Sequence, residues 1–275
     1  MSARPKKTVL AVVAHADDLE FMAGGTVARL ALEYGYDVYQ YILTDNGKGS
    51  YRLPREELVQ VSKAEAQRAG QVLGLRAVRF EGYEDGELEQ ENPAVLRGKV
   101  MAMLREVRAD IVMGWDPYAP YEDHPDHRAV ARATLDAASF CGNPMFHPDH
   151  ADPPYAVTEA YWFAKHPWNA ELYVDIALWL ETKIEALLCH ACQMDLTLDM
   201  IRQEMQQIGV APEALAAVGE ELGHEPIAEG IRAVTAQCGA ARGLRHAEQF
   251  RYQSLCMTDL FMGTQLVQCD FPAGG

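Results

Sequence analysis

The feature that most restricts the fold is an alternation of short apolar stretches with longer amphipathic ones through the first 140 residues. Val9 to Ala14 is a continuous apolar run, the pattern of a strand buried on both faces and therefore of a parallel sheet. GGTVARLALEYG reads as a helix closed by Gly35, and YDVYQYILT as the next strand. A long helix follows, opened by Pro54 and stopped by Gly74. AVRFEG, NPAVLRGKVMAMLREVRAD and IVMGW then supply strand, helix and strand, and HRAVARATLDAASF a further helix. This βαβ succession predicts an α/β fold with a mainly parallel sheet and helices on both faces.

Sheets of this kind bind ligands beyond the carboxyl ends of their strands, where the strand order reverses. In the commonest order the first and fourth strands are neighbours at that point, so the loops after Ala14 and after Trp115 are expected to face one crevice. The later part of the chain differs. CGNPMFHPDHADPPY is a proline-rich loop, AVTEAYWFA and ELYVDIA read as strands, and the chain looks mostly helical from Leu178 to about Tyr252. No linker-like stretch separates the parts, so residues 1–275 are expected to form one domain. In it, 1–150 form the core and 151–275 add strands and a helical C-terminal layer.

With 24 Lys+Arg against 40 Asp+Glu the formal charge is −16, which repels phosphate backbones and anionic headgroups. Nucleic acid and membrane are therefore not expected as partners. The start, SARPKKTVLAVVAHA, imitates a signal peptide, but its apolar run is short and cleavage after it would remove His15. Reading it as the first strand makes the protein soluble and cytoplasmic. Six cysteines in 275 residues are no disulfide framework. The C-x-x-C at Cys189 and Cys192 lies within a helical pattern with no second pair to complete a zinc site.

The loop after the first strand reads Ala14-His15-Ala16-Asp17-Asp18-Leu19-Glu20. It lacks the G-x-G-x-x-G of a dinucleotide site and puts carboxylates where a pyrophosphate would sit, which favours a cation over an anion. His15 and Asp18 offer one nitrogen and one oxygen to a single ion, leaving Asp17 unligated. After the fourth strand, WDPYAPYEDHPDHRAV brings His124 and His127 to a helix start in the same crevice. One of them completes a His/Asp/His set with an open fourth position, the arrangement of a hydrolytic zinc site. Such donors do not select strongly, and Fe2+ or Co2+ also suits them. HPDH recurs at 147–150, in a loop away from any strand end, and is the weaker source of a ligand.

These residues resemble the signature of the PIG-L/LmbE-like N-acetylglucosaminyl deacetylases, zinc enzymes of Rossmann-like fold. The family's A-H-P-D-D-E or A-H-P-D-D-x-E stands here as Ala14 to Glu20, and its H-P-D-H as His124 to His127. TDNGKGS, FEGYEDGEL, KIEALLCHACQ and GLRHAEQFR are weaker echoes that extend over most of the chain. The resemblance implies His15, Asp18 and His127 as zinc ligands and Asp17 as general base. It implies that His124 stabilises or protonates the tetrahedral intermediate and that Asp126 orients His124. It also implies that a small soluble GlcNAc-containing conjugate loses its N-acetyl group, giving acetate and a free amine, in a symmetric homo-oligomer, trimer or hexamer.

The chain departs from the family pattern at three places. Ala16 replaces the usual proline. Many members carry R-x-x-E-A on the helix after strand two, where the arginine meets substrate. Here Ser62 takes that position, and Arg52 or Arg55 is the candidate replacement. Some members place a tyrosine two residues before H-P-D-H, whereas Tyr121 stands three before His124. Tyr83, Asp85, Trp115, Tyr118 and Tyr121 offer rings and a carboxylate suited to a sugar.

Other readings keep parts of this pattern. A Mg2+-binding phospho-acceptor module would use the two aspartates but leave His15, His124 and His127 without a task. A zinc amidase acting on a different N-acyl or thiol conjugate would use the same residues. A metal-binding protein without turnover would not need Asp17 and His124. His166, His190, His224 and His246 read as structural, with His190 near enough in pattern to reach the edge of the site.

Overall fold

The computed structural model describes residues 6–211, 223–262 and 267–271. In chain order these form β1 (Thr8–Val13), α1 (Asp18–Ala28), β2 (Asp37–Thr44), α2 (Arg55–Leu73), β3 (Ala77–Tyr83), α3 (Pro93–Val107), β4 (Ile111–Trp115) and α4 (Pro125–Phe140). Then follow β5 (Glu159–Phe163), β6 (Leu172–Asp175), α5 (Leu180–Leu188), α6 (Ala191–Gln207), α7 (Glu225–Ala240), β7 (Ala247–Ser254) and α8 (Met257–Met262). The sheet order is β3-β2-β1-β4-β5-β7-β6. β1 to β5 run parallel, and β7 lies antiparallel between β5 and β6.

β1 is central because its side chains are apolar on both faces: Val9 to Val13 are fully buried between β2 and β4. The chain moves from β1 outward to β2 and β3 on one side, then returns to β4 on the other. The order therefore reverses between β1 and β4, as expected, and the loops after these two strands share one crevice.

Helix boundaries follow local chemistry. α2 ends at Gly74, whose φ of 77° is the left-handed conformation that glycine adopts without strain. Asn92 caps α3 by accepting the Ala94 N–H, with Pro93 in the first turn. α1 begins at Asp18, six residues earlier than the GGTVARLALEYG pattern suggests, and passes into a π-helical turn over Arg29–Glu33.

Two long-range charges grip α1. The Lys183 ammonium donates to the Phe21 carbonyl at 2.7 Å and to Glu248 at 2.6 Å, while Glu248 accepts the Gly25 and Thr26 N–H groups at 3.0 and 2.7 Å. Gly25 is required there, because a Cβ would lie 2.8 Å from Ile176.

The sequence pattern suggested helix up to about Tyr252, but Ala247–Ser254 is a strand that pairs with both β5 and β6. Its polar residues are satisfied by distant partners: Glu248 by Lys183, Arg251 by Asp116 and Gln253 by the Trp162 indole. No helix among the described residues is long and apolar enough to cross a membrane.

Candidate metal centre

The turn from β1 into α1 is held by its neighbours. The Ala14 carbonyl accepts the N–H and the hydroxyl of Thr44, and the Ala16 carbonyl accepts from Gln40. The Asp18 carboxylate folds back so that Oδ2 accepts three N–H donors, from Ala14, His15 and the Trp115 indole, at 3.0, 2.9 and 2.9 Å. Its other oxygen, Oδ1, is left facing the crevice.

There Oδ1 meets two imidazoles. It lies 3.2 Å from His127 Nε2 and 3.6 Å from His15 Nδ1, and those two nitrogens are 3.1 Å apart. Donor atoms around a tetrahedral ion with bonds of about 2.0–2.1 Å stand about 3.3 Å from one another. One ion therefore fits these three atoms. The ring of His124 brings a further nitrogen within 4.8 Å of those of His15 and His127.

Each imidazole is also held on its far side, the arrangement that fixes tautomer and orientation in histidine metal ligands. His15 Nε2 faces Asp85 Oδ1 at 3.2 Å and Asp126 Oδ2 at 3.3 Å. Asp126 is fully buried and accepts the Gly86 and Leu88 N–H groups. His127 Nδ1 faces Glu122 Oε1 at 3.1 Å, and the Trp115 ring stacks on the imidazole at 3.8 Å.

The electrostatics of this cluster call for a cation. Burial opposes charge on His15, yet Asp18, Asp126 and Asp85 hold its pKa well above the ordinary value. Burial likewise opposes charge on His127, and Asp18 and Glu122 raise its pKa. Asp18 is pulled well below the usual carboxylate range by His127 and His15, against its own burial. Asp18, Asp85, Asp126 and Glu122 thus surround the two imidazoles with negative charge, a setting that suits a divalent cation.

Asp17 occupies the N-cap position of α1 but makes no cap hydrogen bond, and it lines the crevice. Burial and the adjacent Asp18 raise its pKa. His124 caps α4: its Nδ1 accepts the Asp126 N–H at 3.2 Å, so the neutral ring carries its proton on Nε2. Burial, His15 and His127 all lower its pKa. The cavity around these groups measures about 510 Å³ and includes Phe21, Met22, Lys165, Gln193 and Leu196 in its walls.

The family model for GlcNAc-PI de-N-acetylase matches residues 10–138. A diacetylchitobiose deacetylase of Thermococcus kodakarensis is 30% identical over 194 residues, which cover 68% of this chain and 70% of that one. The chain belongs to the PIG-L/LmbE-like family. A probable N-acetyl-alpha-D-glucosaminyl L-malate deacetylase 2 of Bacillus anthracis is 27% identical over 73% of this chain and 88% of its own. Among solved structures, the N,N'-diacetylchitobiose deacetylase of Pyrococcus horikoshii superposes with a TM-score of 0.72 at 25% identity, covering 93% of this chain and 89% of that one.

Against the PIG-L/LmbE-like expectations, the structure brings His15, Asp17, Asp18, His124 and His127 together and redistributes the rest. Asp126, expected to orient His124, donates its backbone N–H to His124 Nδ1 and directs its carboxylate at His15. Asp85 lines the cavity, but its oxygens are engaged by His15 Nε2 and the Lys48 N–H. Tyr121, expected at the substrate, is 84% exposed and points its ring at His166. Tyr83 packs half-buried against the core rather than lining the cavity. Arg52 is held by Asp199 and Asp195 on α6, and Arg55 by Asp45, so neither arginine stands in the cavity wall.

The second HPDH of this family member serves another purpose. Buried Arg105 donates to the carbonyls of Cys141, Asn143, Phe146 and His147 and meets His150 Nδ1 at 3.2 Å. The motif is thereby folded around a guanidinium from α3 and contributes nothing to the cavity wall.

Glu122, Lys165 and Gln193 were not singled out from the sequence. Only Gln193 had a signal, as the last residue of the CHACQ echo. It donates to the Gly49 carbonyl at 3.3 Å, where a Cβ on Gly49 would collide with it. Behind Asp17, Glu20 and His190 are fully buried with Oε2 and Nε2 3.6 Å apart. Among the described residues neither side chain has a hydrogen-bond partner.

Proposed function

We propose that this chain is a zinc-dependent hydrolase that removes the N-acetyl group from a small GlcNAc-containing conjugate. The observation that carries the reading is the convergence of His15 Nδ1, Asp18 Oδ1 and His127 Nε2, with Asp17 and His124 on the same cavity wall. His15, Asp18 and His127 would hold the ion, which when bound polarises the amide carbonyl and acidifies the attacking water.

The protein's own groups supply the proton transfers. Asp17, made more basic by burial and by Asp18, takes a proton from the water that attacks the acetamide carbon. His124 donates from Nε2 to the carbonyl oxygen as negative charge grows on it, because its Nδ1 is committed to the Asp126 N–H. As the C–N bond breaks, the proton held by Asp17 passes to the leaving nitrogen. Acetate and a free amine result. Asp85, Asp126 and Glu122 keep the two ligand imidazoles in place throughout.

The reading treats the chain as one unit, since β6 and β7 extend the sheet that carries the site. The symmetric homo-oligomer belongs to the same proposal. Exposed Leu178, Trp168 and Ile208 are apolar surface of the kind such contacts cover. The test is elemental analysis of the purified protein together with acetate release from N-acetylglucosamine, diacetylchitobiose and other GlcNAc conjugates, in wild type and Asp17→Ala. About one zinc per chain, as a site of three protein ligands implies, and acetate from wild type alone would support the reading. Zinc without acetate from any sugar would move the search to other amides, and a protein that binds no transition metal would end it.

A further inference from the structure

Resting on the deacetylase reading, we propose that the substrate is an uncharged N-acetylglucosaminide, and that conjugates carrying a carboxylate or phosphate on the aglycone are disfavoured. The metal cavity does not end at the metal. It shares Phe21, Met22 and Lys165 with a second cavity of about 800 Å³ between α1, α6, α7 and β7. The two cavities adjoin at these residues, and in the proposed binding mode the aglycone of a sugar bound at the ion lies toward this second space.

The cations along that path are all engaged. Lysines 48, 165 and 183 are the lysine and arginine side chains that line either cavity among the described residues. Lys48 pairs with Glu87 at 2.8 Å and with Glu84 at 3.5 Å. Lys165 pairs with Glu122 at 3.1 Å and Asp123 at 3.0 Å. Lys183 is buried on Glu248 and the Phe21 carbonyl. Arg52 and Arg55, outside both cavity walls, are likewise taken by Asp199 and Asp45.

An anionic aglycone would compete with these carboxylates for the lysine ammoniums. The carboxylates Asp17, Asp18 and Asp85 already line the metal cavity, and a divalent ion balances two of the three. The chain's charge of −16 adds repulsion at longer range. The walls of the second cavity instead offer Ile201, Ile227, Ile231, Val234 and Pro167. These suit the C–H faces of an uncharged sugar or other neutral group. The same field suits the products: the amine left on the sugar becomes a cation beside Asp17. A malate aglycone, as in the name of the Bacillus anthracis relative, would bring two carboxylates into this path.

The test compares kcat/KM of the zinc-loaded full chain for diacetylchitobiose and methyl N-acetylglucosaminide with that for N-acetylglucosaminyl malate. We expect the neutral compounds to lead by about tenfold or more, and added salt to raise the malate rate while leaving the neutral rates flat. The Glu84→Gln/Glu87→Gln variant, which frees Lys48 at the cavity edge, should raise the malate rate by about threefold or more without moving the neutral ones. A malate conjugate processed as fast as the neutral compounds, or faster, overturns this inference alone. No acetate from any of the three overturns the deacetylase reading and this inference with it.

Discussion

Glu122 Oε1 lies 3.1 Å from His127 Nδ1, across the ring from the nitrogen that faces Asp18. The same oxygen accepts the His124 N–H at 3.0 Å and stands 3.1 Å from the Lys165 ammonium. One carboxylate oxygen therefore sets the ring of a proposed ligand, the start of α4 and the position of a cavity lysine. Glu122→Gln is expected to weaken zinc binding by about 10–100-fold, the usual cost of losing such a partner. Chelator competition on the folded variant measures this, and an unchanged affinity would remove Glu122 from the centre.

Asp17 sits in the N-cap position without capping the helix, so its substitution should spare the fold. Asp17→Asn is expected to keep its metal and to lose about 10²–10⁴-fold in kcat, as removal of a general base does. Metal content and kcat measured on one preparation decide the matter; a loss of only a few-fold would assign the base elsewhere.

The acidic surroundings of His15 and His127 raise both pKa values in the metal-free protein. Protons therefore stay on these rings to higher pH than on free histidine and must leave when the ion binds. Zinc affinity should fall as pH falls from about 8 to 6, with roughly one to two protons released per ion. Calorimetry in buffers of different ionisation enthalpy counts the protons, and an affinity independent of pH would contradict the geometry.

Arg105 gives its donors to four carbonyls and to His150 Nδ1 in a buried setting. Arg105→Met should cost about 2–5 kcal/mol of stability, because the carbonyls are left without donors. Its metal content should not change. His150→Ala should likewise retain zinc while His127→Ala loses it, and zinc loss confined to the His150 variant would reverse the assignment of the two HPDH motifs.

What the sequence made legible is what local pattern controls. β1 and β4 were readable because burial on both faces demands uninterrupted apolar runs, and α2 because Pro54 and Gly74 mark its ends. β7 was not, because its strand character depends on Lys183, Asp116 and Trp162 neutralising residues that look like a solvated face. The start of α1 was hidden for a similar reason: Asp18 is drawn into the helix by three N–H donors, one of them on β4.

The site divides along the same line. His15, Asp17, Asp18, His124 and His127 announce themselves by residue type and spacing. The partners of His15 lie 70 and 111 residues away, at Asp85 and Asp126, and no spacing rule reaches that far. Arg52 and Tyr121 looked available because a sequence does not display the α6 carboxylates that hold the one or the outward turn of the other, where φ is 63°.

The grip of Lys183 and Glu248 on α1 has a consequence for the order in which the protein is made. The five residues proposed to act at the reaction all emerge from the ribosome within the first 127 positions, yet the helix that begins with Asp18 is secured by side chains at 183 and 248. Until β7 has been synthesised and inserted between β5 and β6, the Gly25 and Thr26 N–H groups lack Glu248, and Lys183 lacks its carboxylate partner. A nascent chain can thus carry every proposed metal donor while α1 still lacks its bonds to Glu248. The hold on α1 is complete only when nearly the whole polypeptide has been translated.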